Sequence, residues 1–71
     1  MKWISVKDRL PDHEDFVIIA YITNYGKKKV TLDYCSTDSF GRKKWNWYDD
    51  NNTRVLFWQE LPAFPRGQLN I

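Results

Sequence analysis

The stretch DFVIIAYITNYGKKKVTLDYCS, Asp15 to Ser36, constrains this chain more than any other. Phe16 to Thr23 is β-branched and aromatic, Val30 to Cys35 alternates apolar with polar, and Asn24-Tyr25-Gly26 between them is a turn signal. With Gly26 in the left-handed conformation of a three-residue loop, Thr23 faces Lys27 and the register follows by counting outward. Ala20 then faces Val30, Ile18 faces Leu32 and Phe16 faces Tyr34, so turn chemistry alone gathers these apolar side chains on one face. The other face is mixed: Val17, Ile19 and Tyr21 stand opposite Asp33, Thr31 and Lys29.

KKWNWYDDNNTRVLFWQEL reads the same way, with Lys44 to Tyr48 alternating, DDNNT as a polar turn and Arg54 to Gln59 as a β-rich run. It predicts a second hairpin in which Trp47 faces Val55 and Trp45 faces Phe57, while Leu56 and Trp58 point to the opposite side. STDSFGRK between the hairpins reads as a loop. The expected fold is therefore all-β: a small four-stranded antiparallel meander made of two hairpins. The one helical feature is a single turn over SVKDRL, capped by Ser5 and stopped by Pro11.

Residues 1–65 are expected to form one domain, with 66–71 as a loose C-terminal tail. In a meander with an even number of strands, Leu10-Pro11 and Leu61-Pro62 fall at the same end of the sheet. The N- and C-terminal arms, carrying Trp3, Ile4, Val6 and Leu10 on one side and Ala63 and Phe64 on the other, are then the available cover for the face bearing Val17, Ile19, Tyr21, Leu56 and Trp58. On this reading Trp3 is a buried strut, and its truncation to Ala costs about 3–5 kcal/mol.

A chain of 71 residues buries a small fraction of its surface and needs compensation. Cys35 is the only cysteine and His13 the only histidine, so neither a disulfide nor the usual four-ligand metal staple can supply it. The aromatic load of four Trp, four Tyr and four Phe is read as the substitute, mostly as core. A lone cysteine fits a reducing cytosol, Lys2, Lys7, Asp8 and Arg9 do not resemble a signal peptide, and Phe16 to Ile22 is too short to cross a bilayer. The expectation is a cytoplasmic protein of a bacterial host cell, without membrane contact.

WISVKDRLP at the start, a strand pair carrying VIIAY, and FWQELPAFP at the close resemble the small phage and prophage family known as domain of unknown function 551, built around W-I-S-V-x-(D/E)-R-L-P and H-W-x-P-L-P-x-P. The resemblance rests on Trp3, Ile4, Val6, Arg9, Leu10 and Pro11 in the opening motif and on Trp58, Leu61 and Pro62 in the closing one. Phe57 stands where the family often has histidine, and Glu60 where it often has proline. The resemblance implies a bacteriophage or bacterial origin and a small β-rich domain; it brings no activity.

Catalysis needs several groups converging on one pocket, and one His with one Cys is a thin inventory. The topology puts His13 and Cys35 at the same end of the sheet, yet no third residue orients them. The carboxylates of DHED and DD would need a substrate cleft that this length hardly allows, DDNNT lacks the acidic spacing and closing glutamate of a calcium loop, and the glycines at 26, 41 and 67 are too isolated to cradle a phosphate. No enzyme, cofactor or metal is expected.

Two binding classes remain. The net charge of +2 is weak, but Lys27, Lys28 and Lys29 and then Arg42, Lys43 and Lys44 form basic triplets beside aromatics, a combination that binds single-stranded or structured nucleic acid. The triplets lie a strand length apart and each has acidic neighbours, which favours the other class, protein binding through an under-covered sheet. The expected function is a non-enzymatic accessory role exerted on a host or phage protein, with a homodimer as a further outcome of the exposed sheet. Tyr21, Tyr25 and Tyr48, with Arg42 and Arg54 at the rims, are the expected contact residues, since Tyr and Arg are enriched in interface hot spots.

Overall fold

The structure, a computed structural model, describes residues 2–62. Its strands are β1 (Ile4–Ser5), β2 (Val17–Thr23), β3 (Lys28–Asp33), β4 (Cys35–Thr37), β5 (Lys43–Trp45) and β6 (Thr53–Gln59), with no helix among the described residues. The fold is all-β and antiparallel, as the sequence indicates. A four-stranded sheet runs β1-β6-β2-β3, and β4 and β5 form a separate two-stranded ribbon. The Ala63 and Phe64 part of the C-terminal arm and the 66–71 tail lie outside the described residues.

The first hairpin has the register that its turn dictates. Gly26 has φ +83°, Thr23 N–H donates to the Lys27 carbonyl at 2.9 Å, and Ala20 and Ile18 pair with Val30 and Leu32. The Thr23 hydroxyl adds to the turn by accepting from Lys27 N–H at 3.1 Å. The burial, however, is on the mixed face: Val17, Ile19 and Asp33 are fully buried, whereas Val30 and Leu32 are exposed.

The predicted second hairpin is replaced by two other pairings, so the strand order is not that of a meander. STDSFGRK is not a plain loop: Ser36 and Thr37 belong to β4, which pairs with β5 through Cys35–Trp45 and Thr37–Lys43. Its turn repeats the chemistry of the first, with Gly41 at φ +80° and the Asp38 carboxylate accepting from Phe40 and Arg42 N–H at 2.9 Å each. The chain after Trp45 cannot continue as a strand because Asp33 captures it. The Asp33 Oδ2 accepts from Trp47 N–H and Tyr48 N–H at 3.1 Å each, and Oδ1 accepts from Tyr34 N–H at 2.7 Å.

β6 then enters the middle of the large sheet, pairing with β2 along its length and with β1 at Ile4–Trp58 and Ser5–Phe57. A register shift between Ala20 and Tyr21 sets Ala20 against Phe57 and Tyr21 against Val55, leaving Leu56 as the extra residue of a bulge. Strict alternation would put Val55 and Trp58 on opposite faces. The bulge puts both inward, and both are buried.

The core consists of Val17, Ile19, Cys35, Trp45, Val55 and Trp58. The N-terminal arm covers it through Ile4, Val6 and Leu10, as expected, and the β4–β5 ribbon supplies the rest of the cover. The strut is Trp58, with no exposed surface and its indole N–H donating to the Arg9 carbonyl at 3.0 Å; Trp3 is 43% exposed. Arg9 also stacks its guanidinium over the Trp58 ring, 5.1 Å from the centroid. Arg9–His13 and Trp58–Glu60 thus lie side by side, the neighbourhood that the two Leu-Pro signals predict. SVKDRL forms a turn, with Asp8 N–H donating to the Ser5 carbonyl at 3.0 Å and Lys7 N–H to the Ser5 hydroxyl at 3.2 Å.

Candidate functional site

Because the core lies on the Val17–Ile19 side, the opposite face of the sheet is left open. A row of Ser5, Phe57, Ala20 and Val30 crosses all four strands in register, with Ile18 and Leu32 beside it. Val30 is 63% exposed, Leu32 45% and Phe57 42%. One end of the face is extended by an aromatic cluster. Phe16 stacks on Trp47 at 5.8 Å between ring centroids, and Tyr34 meets both edge-on, at 5.1 Å from Phe16 and 5.3 Å from Trp47. Trp47 reaches this position because Asp33 pins its backbone, so a fully buried carboxylate on one face fixes an exposed indole on the other. Lys28 and Lys29 border the shallow groove between Val30 and Phe57.

The expected contact residues do not form one patch. Tyr21 and Tyr48 pack on each other at 4.8 Å and lean on the core. Tyr25 stands at the tip of the first hairpin. Arg42 lies in the β4–β5 turn, 3.3 Å from the Asp38 carboxylate and over the Phe40 ring, and Arg54 is on β6. The exposed side chains that do cluster are Phe16, Val30, Leu32, Trp47 and Phe57. The first three are on the face that the hairpin register had already gathered; their exposure depends on which face the rest of the chain covers.

The basic triplets are likewise separated. Lys27, Lys28 and Lys29 sit at the first hairpin turn and the start of β3, whereas Arg42, Lys43 and Lys44 sit at the β4–β5 turn and on β5. Lys43 and Lys44 line a different opening, together with Lys7 and Arg54.

His13 and Cys35 border one small cavity of about 150 Å³, but both ring nitrogens of His13 are engaged elsewhere. Nε2 lies 3.0 Å and 3.1 Å from the two Glu60 carboxylate oxygens, and Nδ1 accepts from Asp15 N–H at 3.1 Å, which makes Nε2 the protonated nitrogen of the neutral ring. The Glu60 hydrogen bond holds the His13 pKa above its ordinary value, with the charges of Glu60, Asp15 and Asp12 adding to it. Burial, reinforced by the Asp33 charge, pushes the Cys35 thiol up to about 11. A histidine hydrogen-bonded to Glu60 and Asp15 beside a thiol held protonated is not an activated nucleophile. Among the described residues, no group of three or more His, Cys, Asp or Glu side chains could hold a metal ion, and no helix is long and apolar enough to cross a membrane.

Fold and surface together define a small all-β domain whose sheet is covered on one face and open on the other. Residues 2–66 match the family described as Protein of unknown function (DUF551), and the chain belongs to it. No curated protein and no solved structure matches the chain.

Proposed function

We propose that this chain is a non-enzymatic phage or prophage accessory protein that works in the host cytoplasm by docking on a host protein and modulating it. The observation that carries the proposal is the open face of the β2–β3–β6 sheet, where Phe16, Val30, Leu32, Trp47 and Phe57 are each 42–63% exposed. A contiguous apolar surface on so small a domain marks an interaction site, and aromatic residues are the type enriched there. With Lys28 and Lys29 along one border, the fitting partner presents an apolar patch edged by carboxylates.

The test is an affinity pull-down from bacterial lysate, treated with nuclease, comparing the native chain with a V30E/L32E variant. Both positions are exposed, so the variant keeps its fold. Retention of one host protein by the native chain and its loss with the variant supports the reading. Identical capture by both chains, or none by either, refutes it. Sedimentation velocity distinguishes the alternative occupant: a monomer–dimer equilibrium abolished by the variant would mean that the face pairs with a second copy.

A further inference from the structure

β1 and the Val6–Leu56 hydrogen bond cover β6 only from Leu56 to Trp58, so the part of that edge before Leu56 has no partner strand. A cleft of about 610 Å³ lies there, between β6, β5 and the Ser5–Leu10 segment. Its charged lining comes from segments far apart in sequence: Lys7 from the turn after β1, Lys43 and Lys44 from β5, Arg54 from β6, and a single carboxylate, Asp49. Four cations against one carboxylate leave a local surplus of three positive charges, more than the +2 of the whole chain. None of these five residues forms an ion pair among the described residues. Convergence of like charge without counter-charges works against folding, whereas it suits a site that receives an anion.

We propose that this cleft is a binding site for an organic phosphate of nucleotide size, taken either as a free nucleotide or as one unit of a nucleic-acid strand. Phosphate is favoured over a carboxylate because a single negative charge would leave most of the surplus unneutralised. An organic body is favoured over inorganic phosphate because Leu10, Trp45, Val55 and Leu56 also line the cleft. The volume falls within the range of small-molecule sites, about 300–1,000 Å³. Two side chains are already held in place. Lys43 Nζ donates to the Pro11 carbonyl at 2.9 Å, where the cleft borders the His13–Cys35 cavity that Lys43 also lines, and Asp49 Oδ1 accepts from Val55 N–H at 3.4 Å. Asp49 then has acceptor capacity left for a hydroxyl or amino group of the ligand. The site is separate from the open sheet face and does not depend on the protein-docking proposal.

The test is NMR titration of the ¹⁵N-labelled protein with AMP, inorganic phosphate and oligo(dT), repeated on a K44Q/R54Q variant and on a K27Q/K28Q control. All four positions are exposed, and heteronuclear spectra report directly whether each variant is folded. The expected result is AMP-induced shifts confined to Ser5–Leu10, β5 and Asp49–Leu56, weakened at least tenfold in K44Q/R54Q and unchanged in the control. Oligo(dT) binding more than tenfold tighter than AMP identifies the ligand as a strand; equal affinity identifies the free nucleotide. Shifts scattered over the surface, equal weakening in both variants, or inorganic phosphate binding as tightly as AMP would overturn the proposal.

Discussion

Asp33 is fully buried, has no cation paired with it among the described residues, and accepts three backbone N–H groups, from Tyr34, Trp47 and Tyr48. A buried carboxylate survives uncompensated by a cation only where such donors replace water. Replacing Asp33 with Ala leaves the donors without an acceptor and frees the segment that leads from β5 to β6. A hydrogen bond to a charged acceptor contributes about 1.5–3 kcal/mol, and three sharing one carboxylate do not add fully, so the expected loss is about 3–5 kcal/mol. A domain of this size has about 3–5 kcal/mol in all, so Asp33→Ala should be largely unfolded at 25 °C, and Asp33→Asn, which keeps one acceptor, should lie between the two. Urea unfolding followed by circular dichroism measures this directly. With a slope near 1 kcal/mol/M, the Asn variant should move the midpoint down by roughly 1–2 M, and Ala should leave little folded baseline. A shift below about 0.5 M for Asp33→Ala would show that the carboxylate does not hold the segment, and the account of why the second predicted hairpin fails to form would fall with it.

Trp58→Ala should cost about 3–5 kcal/mol, because that side chain is fully buried, whereas Trp3→Ala, at a 43% exposed position, should cost well under half as much; chemical denaturation of both variants tests the reassignment of the strut. His13 binds its proton more tightly in the folded state, so the stability from its contact with Glu60 is present below about pH 6.5, the ordinary histidine value, and is lost as pH rises through the raised folded value. Glu60→Gln should return the His13 NMR titration toward its ordinary position; an unchanged titration would show that Glu60 is not the cause. With its thiol pushed up to about 11, Cys35 should label with a disulfide reagent at pH 8 roughly 100-fold more slowly in the native protein than in urea. Equal rates would place the thiol at the surface.

The first hairpin was legible in sequence because its determinants are local. Gly26 permits the turn, Thr23 closes it, and counting residues does the rest. The β4–β5 ribbon carries the same turn signal in Asp38 and Gly41, but its strands are three residues each, too short for alternation to mark them in the sequence. Which face of the first hairpin is buried was not local information. Its more uniformly apolar face looks like a core by composition, yet Val17, Ile19 and Tyr21 are the side chains that meet Trp58 and Val55 once β6 lies beside β2. The register thus makes Phe16, Val30 and Leu32 neighbours, but not the tyrosines and arginines expected as contacts, and their exposure, with the arrival of Trp47 and Phe57 beside them, depends on a pairing between distant segments.

That pairing did leave a trace. Val55-Leu56-Phe57-Trp58 is an unbroken apolar run, unlike the alternating Lys44 to Tyr48 stretch that was expected to partner it. The run is unbroken because the bulge lets Val55 and Trp58 both point inward, while Phe57 between them stands on the open apolar face. The spacing of three between Val55 and Trp58, both buried, departs from the period of two and is the imprint of the bulge opposite Ala20–Tyr21. On the other edge the β1–β6 register runs on unshifted, with Val6 N–H donating to the Leu56 carbonyl at 3.1 Å before the chain turns away at Lys7 and Asp8. One extra residue in β6 thus seats Val55 and Trp58 together in the core, while the turn after Ser5 ends β1 and leaves without a partner strand the stretch of β6 along which the basic cleft lies.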